Sequence, residues 1–140
     1  MKKQFSIKWK ASSQKRKQRK YVFNIPLHLK RKLLSAGLSK ELRKRYSRRS
    51  FPVRKGDTVR VMHGKFKGKE GKISGLSKKT GFVYIENIQI TKKDGSKVNF
   101  PIRTHRLRIM ELELDDRQRL ASLENKKKIT AAQIQEEKKK

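Results

Sequence analysis

Among residues 1–50 there are 18 lysines and arginines and a single acid, Glu41. A segment with that imbalance cannot neutralise itself by folding, so it either stays solvated or lies against a polyanion. The excess thins to 15 bases against four acids over residues 51–110 and vanishes over residues 111–140, where eight bases meet seven acids. The whole chain of 140 residues carries a formal net charge of +29, and with 33% hydrophobic and 38% charged residues it cannot all pack around a core. One compact domain with solvated or partner-bound extensions is expected. Nucleic acid is the expected polyanion. A membrane is the rival, but no apolar run approaches the roughly 18–20 residues needed to span one, and no apolar signal core follows the N-terminal lysines. There is no cysteine, which removes a disulfide framework and any thiolate site and fits a cytosolic chain.

The chain divides into four parts. Residues 1–24, through KWKASSQKRKQRKYVF, have no helical or strand period and are expected to form a basic arm that orders on its partner. Residues 25–50 read as two short basic helices. Pro26 suits the first turn of a helix through LHLKRKLLSA that Gly37 stops, with His28, Arg31 and Lys32 on one face and Leu29, Leu33 and Ala36 on another. Ser39 can cap the second, KELRKRY, with Glu41 in its first turn where the helix dipole favours an acid. With one acid for 18 bases, ion pairing within the segment cannot account for these basic faces.

From Pro52 the period becomes two. Thr58–Val61 alternates as a half-buried strand does, and further strands are expected at Gly71–Leu76, Gly81–Gln89, Val98–Ile102 and Leu107–Leu112, with KKTG and KKDG as hairpin turns. Five short strands in residues 51–114 suggest a small closed or nearly closed barrel filled by Val59, Val61, Ile73, Val83, Ile85, Ile88, Ile90, Val98, Ile102, Leu107 and Ile109. In residues 115–140, Asp115 and Gln118 have capping-box spacing, Lys126–Lys128 suit a helix C-terminus, and ITAAQIQEEKKK is expected to fray.

The segment VRKGDTVRVMHGKFKGKEGKI places four glycines among seven basic residues. A loop that lies against a phosphate chain needs backbone without a Cβ in the way and access to positive φ, and glycine supplies both. Gly64 and Gly68 bracket Lys65-Phe66-Lys67, so the turn can bring ammonium groups and backbone N–H donors to phosphate together. Gly56 and Gly71 sit at strand entrances, where bends or bulges are expected.

At Val53, Gly56, Asp57, Val59, Val61, Gly64, Lys67, Gly68, Gly71 and Ile73 the segment resembles the KOW motif of ribosomal proteins and transcription elongation factors. The likeness continues over residues 14–116 through QKRKQRK, NIPLHLKRKLLSAGLSKELRKRY, RRSFPVRKGDTVRVMHGKFKGKEGKI and ITKKDGSKV. There the chain resembles the archaeal and eukaryotic branch of the universal large-subunit ribosomal protein family numbered twenty-four, called twenty-six in eukaryotes. The resemblance implies a mainly β fold, a small SH3-like barrel bearing the KOW motif. It also implies a structural role in the large subunit of the cytoplasmic ribosome, bound to its ribosomal RNA and neighbouring proteins near the nascent-chain exit and supporting assembly. The alternative is a KOW-type elongation factor that binds RNA polymerase, which should carry a further domain and an apolar docking patch.

The expected RNA contacts follow the charge and the motif. They are Lys15, Arg16, Lys17, Arg19 and Lys20 in the arm; His28, Arg31, Lys32, Arg43, Lys44, Arg48 and Arg49 on and after the helices; and Arg54 and Lys55 where the barrel begins. His63, Gly64, Lys65, Lys67, Gly68 and Lys69 follow in the glycine loop, and Arg103, His105 and Arg106 lie before the last strand, where the family has a small proline-containing loop. Trp9 offers a stacking face to a base or to protein. The three histidines are too irregularly spaced for a metal site, and neither G-x-x-x-x-G-K-[ST] nor G-x-S-x-G occurs. No enzyme, cofactor, membrane or small-molecule substrate is expected.

Overall fold

The computed structural model describes residues 4–124, so the expected Lys126–Lys128 cap and the C-terminal tail lie outside the described residues. The fold is a small sheet-rich domain mixed with helices. A 3₁₀ turn at Ile7–Ala11 leads into α1 (Lys15–Asn24), α2 (Leu27–Leu33), β1 (Ser35–Leu38), α3 (Lys40–Tyr46) and β2 (Ser50–Pro52). Then come β3 (Thr58–Val61), β4 (Glu70–Ser77), β5 (Phe82–Ile85), β6 (Gln89–Thr91), β7 (Lys97–Asn99), β8 (Ile102–Arg103), a 3₁₀ turn at Thr104–Arg106 and β9 (Leu107–Glu111). Residues 117–124 form a further helix, α4. No helix among the described residues is long and apolar enough to cross a membrane.

Seven strands join in the order β2-β1-β9-β3-β4-β5-β8, and the ladder as paired does not close. Its register slips between Thr58 and Val59 against β9 and between Ile73 and Gly75 against β5, and such bulges sharpen twist and bend a sheet. Val59, Val61, Ile73, Val83, Ile85, Ile88, Ile102, Leu107 and Ile109 are all buried in one cluster with Leu38, Phe51 and Leu123. Alternation along the strands accounts for the first nine except Ile88, which follows Ile85 by three residues and lies between β5 and β6.

Several expectations need correction. The arm is not irregular throughout. KRKQRK consists of good helix formers, and α1 is anchored by Tyr21, buried and stacked on Phe5 with ring centroids 5.4 Å apart. The helix from Pro26 stops at Leu33 instead of running to Gly37. Ser35–Leu38 is a strand, because Ala36 and Leu38 gain nearly complete burial by pairing antiparallel with β2 and parallel with β9. Leu33, expected on the apolar face, is 42% exposed. The strand expected at Gly81–Gln89 breaks at Asn87, whose φ of 63° is left-handed, a conformation asparagine tolerates. The strand expected at Val98–Ile102 breaks at Pro101, which has no N–H to contribute.

Ile90 and Val98, expected in the core, are 37% and 43% exposed. They face each other across the separate β6–β7 hairpin, which is not paired to the main sheet. Ser39 caps α3 as expected, its Oγ accepting from Leu42 N at 3.3 Å. The cap of α4 lies one residue later than expected: Asp116 Oδ1 accepts from Gln118 N at 2.9 Å, while Asp115 is exposed.

Candidate nucleic-acid interface

The glycine loop lies between β3 and β4. Gly68 N donates to Val61 O at 2.8 Å and Lys67 N to Gly64 O at 3.0 Å, a double turn that needs positive φ at both ends. Gly64 and Gly68 provide it, at +103° and +86°. Phe66 packs against the core and against Phe100, ring centroids 5.2 Å apart, so the loop is held from within. His63, Lys65, Lys67 and Lys69 are left exposed, with Lys69 Nζ 5.5 Å from the Phe66 ring centre.

A second basic segment reaches the same place. Met62 N donates to Arg106 O at 2.8 Å, and Arg106 Nη1 lies 3.8 Å from where a Cβ on Gly64 would sit. The turn Thr104–Arg106 is anchored by buried Thr104, with exposed Arg103 above Phe82 at 5.4 Å. Two loops about 40 positions apart in sequence therefore meet at Met62, Gly64 and Arg106, and His63, Lys65, His105 and Arg106 on them are all exposed. In α1 and α2, Lys15, Arg16, Lys17, Arg19, His28, Arg31 and Lys32 are exposed, and so are Lys44, Arg49 and Lys55.

Other expected contacts are committed inside the molecule. Lys20 Nζ sits 5.5 Å over the half-buried Trp9 ring. Arg43 Nε donates to Leu38 O at 2.9 Å. Arg48 donates to Ser122 O and lies 5.4 Å over Phe51, and Arg54 pairs with Asp116 at 2.7 Å. Counting acids in residues 1–50 overlooks carbonyl oxygens, which are acceptors wherever the backbone leaves them open. Exposed ion pairs such as Arg54–Asp116 hold their partners weakly.

At the other end of β3 from the glycine loop lies a buried ion pair that the sequence does not disclose. Asp57 and Arg119 side chains are 0% and 6% exposed, and Nη1 and Nη2 of Arg119 reach Oδ1 and Oδ2 of Asp57 at 2.8 and 2.7 Å. The carboxylate also accepts from Arg54 N at 2.8 Å and Glu113 N at 3.0 Å. Asp57 thus clamps α4 to the start of β3. Its place in the Gly56-Asp57 pair is visible in the sequence, but its partner, 62 residues on, is not.

The chain resembles known proteins over nearly all of this structure. It is 43% identical over 115 residues to the large ribosomal subunit protein uL24 of Methanosphaera stadtmanae, covering 82% of this chain and 98% of that one. The match to a family runs from residue 12 to residue 126, most of the chain. The chain belongs to the family of ribosomal proteins described as L26 in eukaryotes, together with its archaeal counterpart numbered twenty-four.

Proposed function

We propose that the chain is a structural constituent of the large ribosomal subunit, holding large-subunit ribosomal RNA against the surface formed by the glycine loop and the Thr104–Arg106 turn. The observation that carries this reading is the convergence of those two basic loops around Gly64, where Met62 and Arg106 are hydrogen-bonded. Lys65, Lys67, Lys69, Arg103, His105 and Arg106 neutralise phosphates there, and Gly64 and Gly68 let the backbone approach them. Lys15, Arg16, Lys17 and Arg19 on α1, with His28, Arg31 and Lys32 on α2 and Lys44, Arg49 and Lys55 beyond, extend the contact. We read β3, β4, β5, β8 and β9 as a partly open SH3-like barrel, curled by its two bulges. A place near the nascent-chain exit, a role in assembly and residence in the cytoplasmic ribosome belong to the same reading, supported by family membership.

Sedimentation of cell extract tests it. The chain should run with large subunits, and a variant with Lys65, Lys67 and Arg106 changed to glutamine should dissociate at lower salt, having lost three phosphate contacts. Migration with RNA polymerase, or a variant as salt-resistant as the parent, would refute the reading.

A further inference from the structure

We propose that the cleft between α1, α2 and the β4–β5 turn is a nucleotide pocket that takes one unpaired RNA base, stacked on Phe23. The proposal rests on the RNA-binding reading above and adds a site remote in sequence from the two basic loops. The cleft has a volume of about 440 Å³ and is lined by Gln18, Arg19, Val22, Phe23, Lys30 and Lys79, within the roughly 300–1,000 Å³ of small-ligand sites. Phe23 is 85% exposed and Val22 50%, an open apolar surface on a chain with few apolar residues to spare.

The chemistry of the walls selects the occupant. Val22 and Phe23 are apolar, and among the described residues every charged side chain lining the cleft is a cation. An apolar protein side chain would match Phe23 and leave three cations unanswered. A nucleotide answers both, with a flat π face for the ring and a phosphate for Arg19, Lys30 or Lys79. Gln18 adds a fixed polar group. Its Nε2, with two N–H to give, lies within reach of three carbonyl oxygens, those of Trp9, Lys10 and Ser12 at 3.1, 3.0 and 2.6 Å, which orients the amide and leaves Oε1 as an acceptor for a base N–H. Trp9 is covered by Lys20, so Phe23 is the open aromatic face of this region.

The test uses two labelled RNA probes of equal charge, an adenosine pentamer and an abasic pentamer, titrated into the full chain over a range of salt. The pentamer with bases should bind the parent roughly 5- to 150-fold tighter than the abasic one, the range expected for stacking of a base on an aromatic side chain. Phe23→Ala should bring that ratio toward one, Phe23→Trp should keep it, and neither should change the salt slope. Phe23 is exposed, so both variants should fold, which circular dichroism verifies. If Phe23→Ala leaves the ratio intact while both probes bind with the parental slope, the pocket proposal is overturned and Phe23 is left as a protein contact. If neither probe binds in a salt-dependent way, the RNA-binding reading itself has failed.

Discussion

Replacing Arg119 with methionine removes one half of the buried pair while keeping a stem of similar length against Phe51, over which the guanidinium lies at 5.4 Å. Asp57 then keeps two of its four donors, the amides of Arg54 and Glu113. The carbonyls of Glu113 and Pro52, which Arg119 reaches at 2.7 and 3.3 Å, lose theirs. The two lost bonds to the carboxylate are charge-assisted and worth about 1.5–3 kcal/mol each. Against that stands relief of guanidinium burial, so the net cost should be about 3–5 kcal/mol, as for other buried pairs broken on one side. The thermal midpoint should fall by on the order of 10–20 °C for a chain of this size. Urea denaturation followed by far-ultraviolet circular dichroism measures the cost, and combining Arg119→Met with Asp57→Asn completes a double-mutant cycle. The double variant should lose less than the two singles summed, because the second substitution relieves a charge that the first left unpaired. A loss under about 1 kcal/mol for Arg119→Met, or single effects additive within about 0.5 kcal/mol, would refute the argument that this pair fastens α4 to the sheet.

Two further outcomes are expected. Gly68→Val meets nothing within 4 Å and should cost roughly 1–2 kcal/mol of backbone strain, whereas a Cβ on Gly71 would lie 2.9 Å from both Glu86 O and Ile85 Cγ2 and should cost more than about 3 kcal/mol; the reverse order in urea denaturation would sink this account of the two glycines. The Gln118 amide, with the Arg54 guanidinium, holds the Asp116 carboxyl below its ordinary range, so its contribution is present above the unfolded carboxylate value and is lost as pH falls through the lower folded value. Asp116→Asn should therefore be less stable than the parent at neutral pH, with a gap that closes in acid; a gap independent of pH would count against the cap.

Features written in short stretches of chain were legible. The Ser39 cap with α3, the alternation of Thr58–Val61 and the turns KKTG and KKDG each depend on neighbours within a few residues. The glycine loop was legible for the same reason, since positive φ at Gly64 and Gly68 is a demand of the turn itself. Ser35–Leu38 was not, because four residues after a helix become a strand only when β2 and β9 are present to pair with them. Arg43 and Arg48 read as free cations until Leu38 O and Ser122 O came within reach.

By itself, then, the sequence determined the charge imbalance that calls for a polyanion, the strand period, most of the core and the conformation of the lysine-bearing turn. Those follow from composition and from interactions spanning a few residues, which any compact arrangement of the chain must respect. Only the tertiary structure decided that the glycine loop and the Thr104–Arg106 turn form one face, that α1 leaves Phe23 exposed beside three cations, and that Asp57 closes on Arg119. Each of these depends on which distant segments meet, a choice settled by simultaneous burial of the shared core rather than by any local preference.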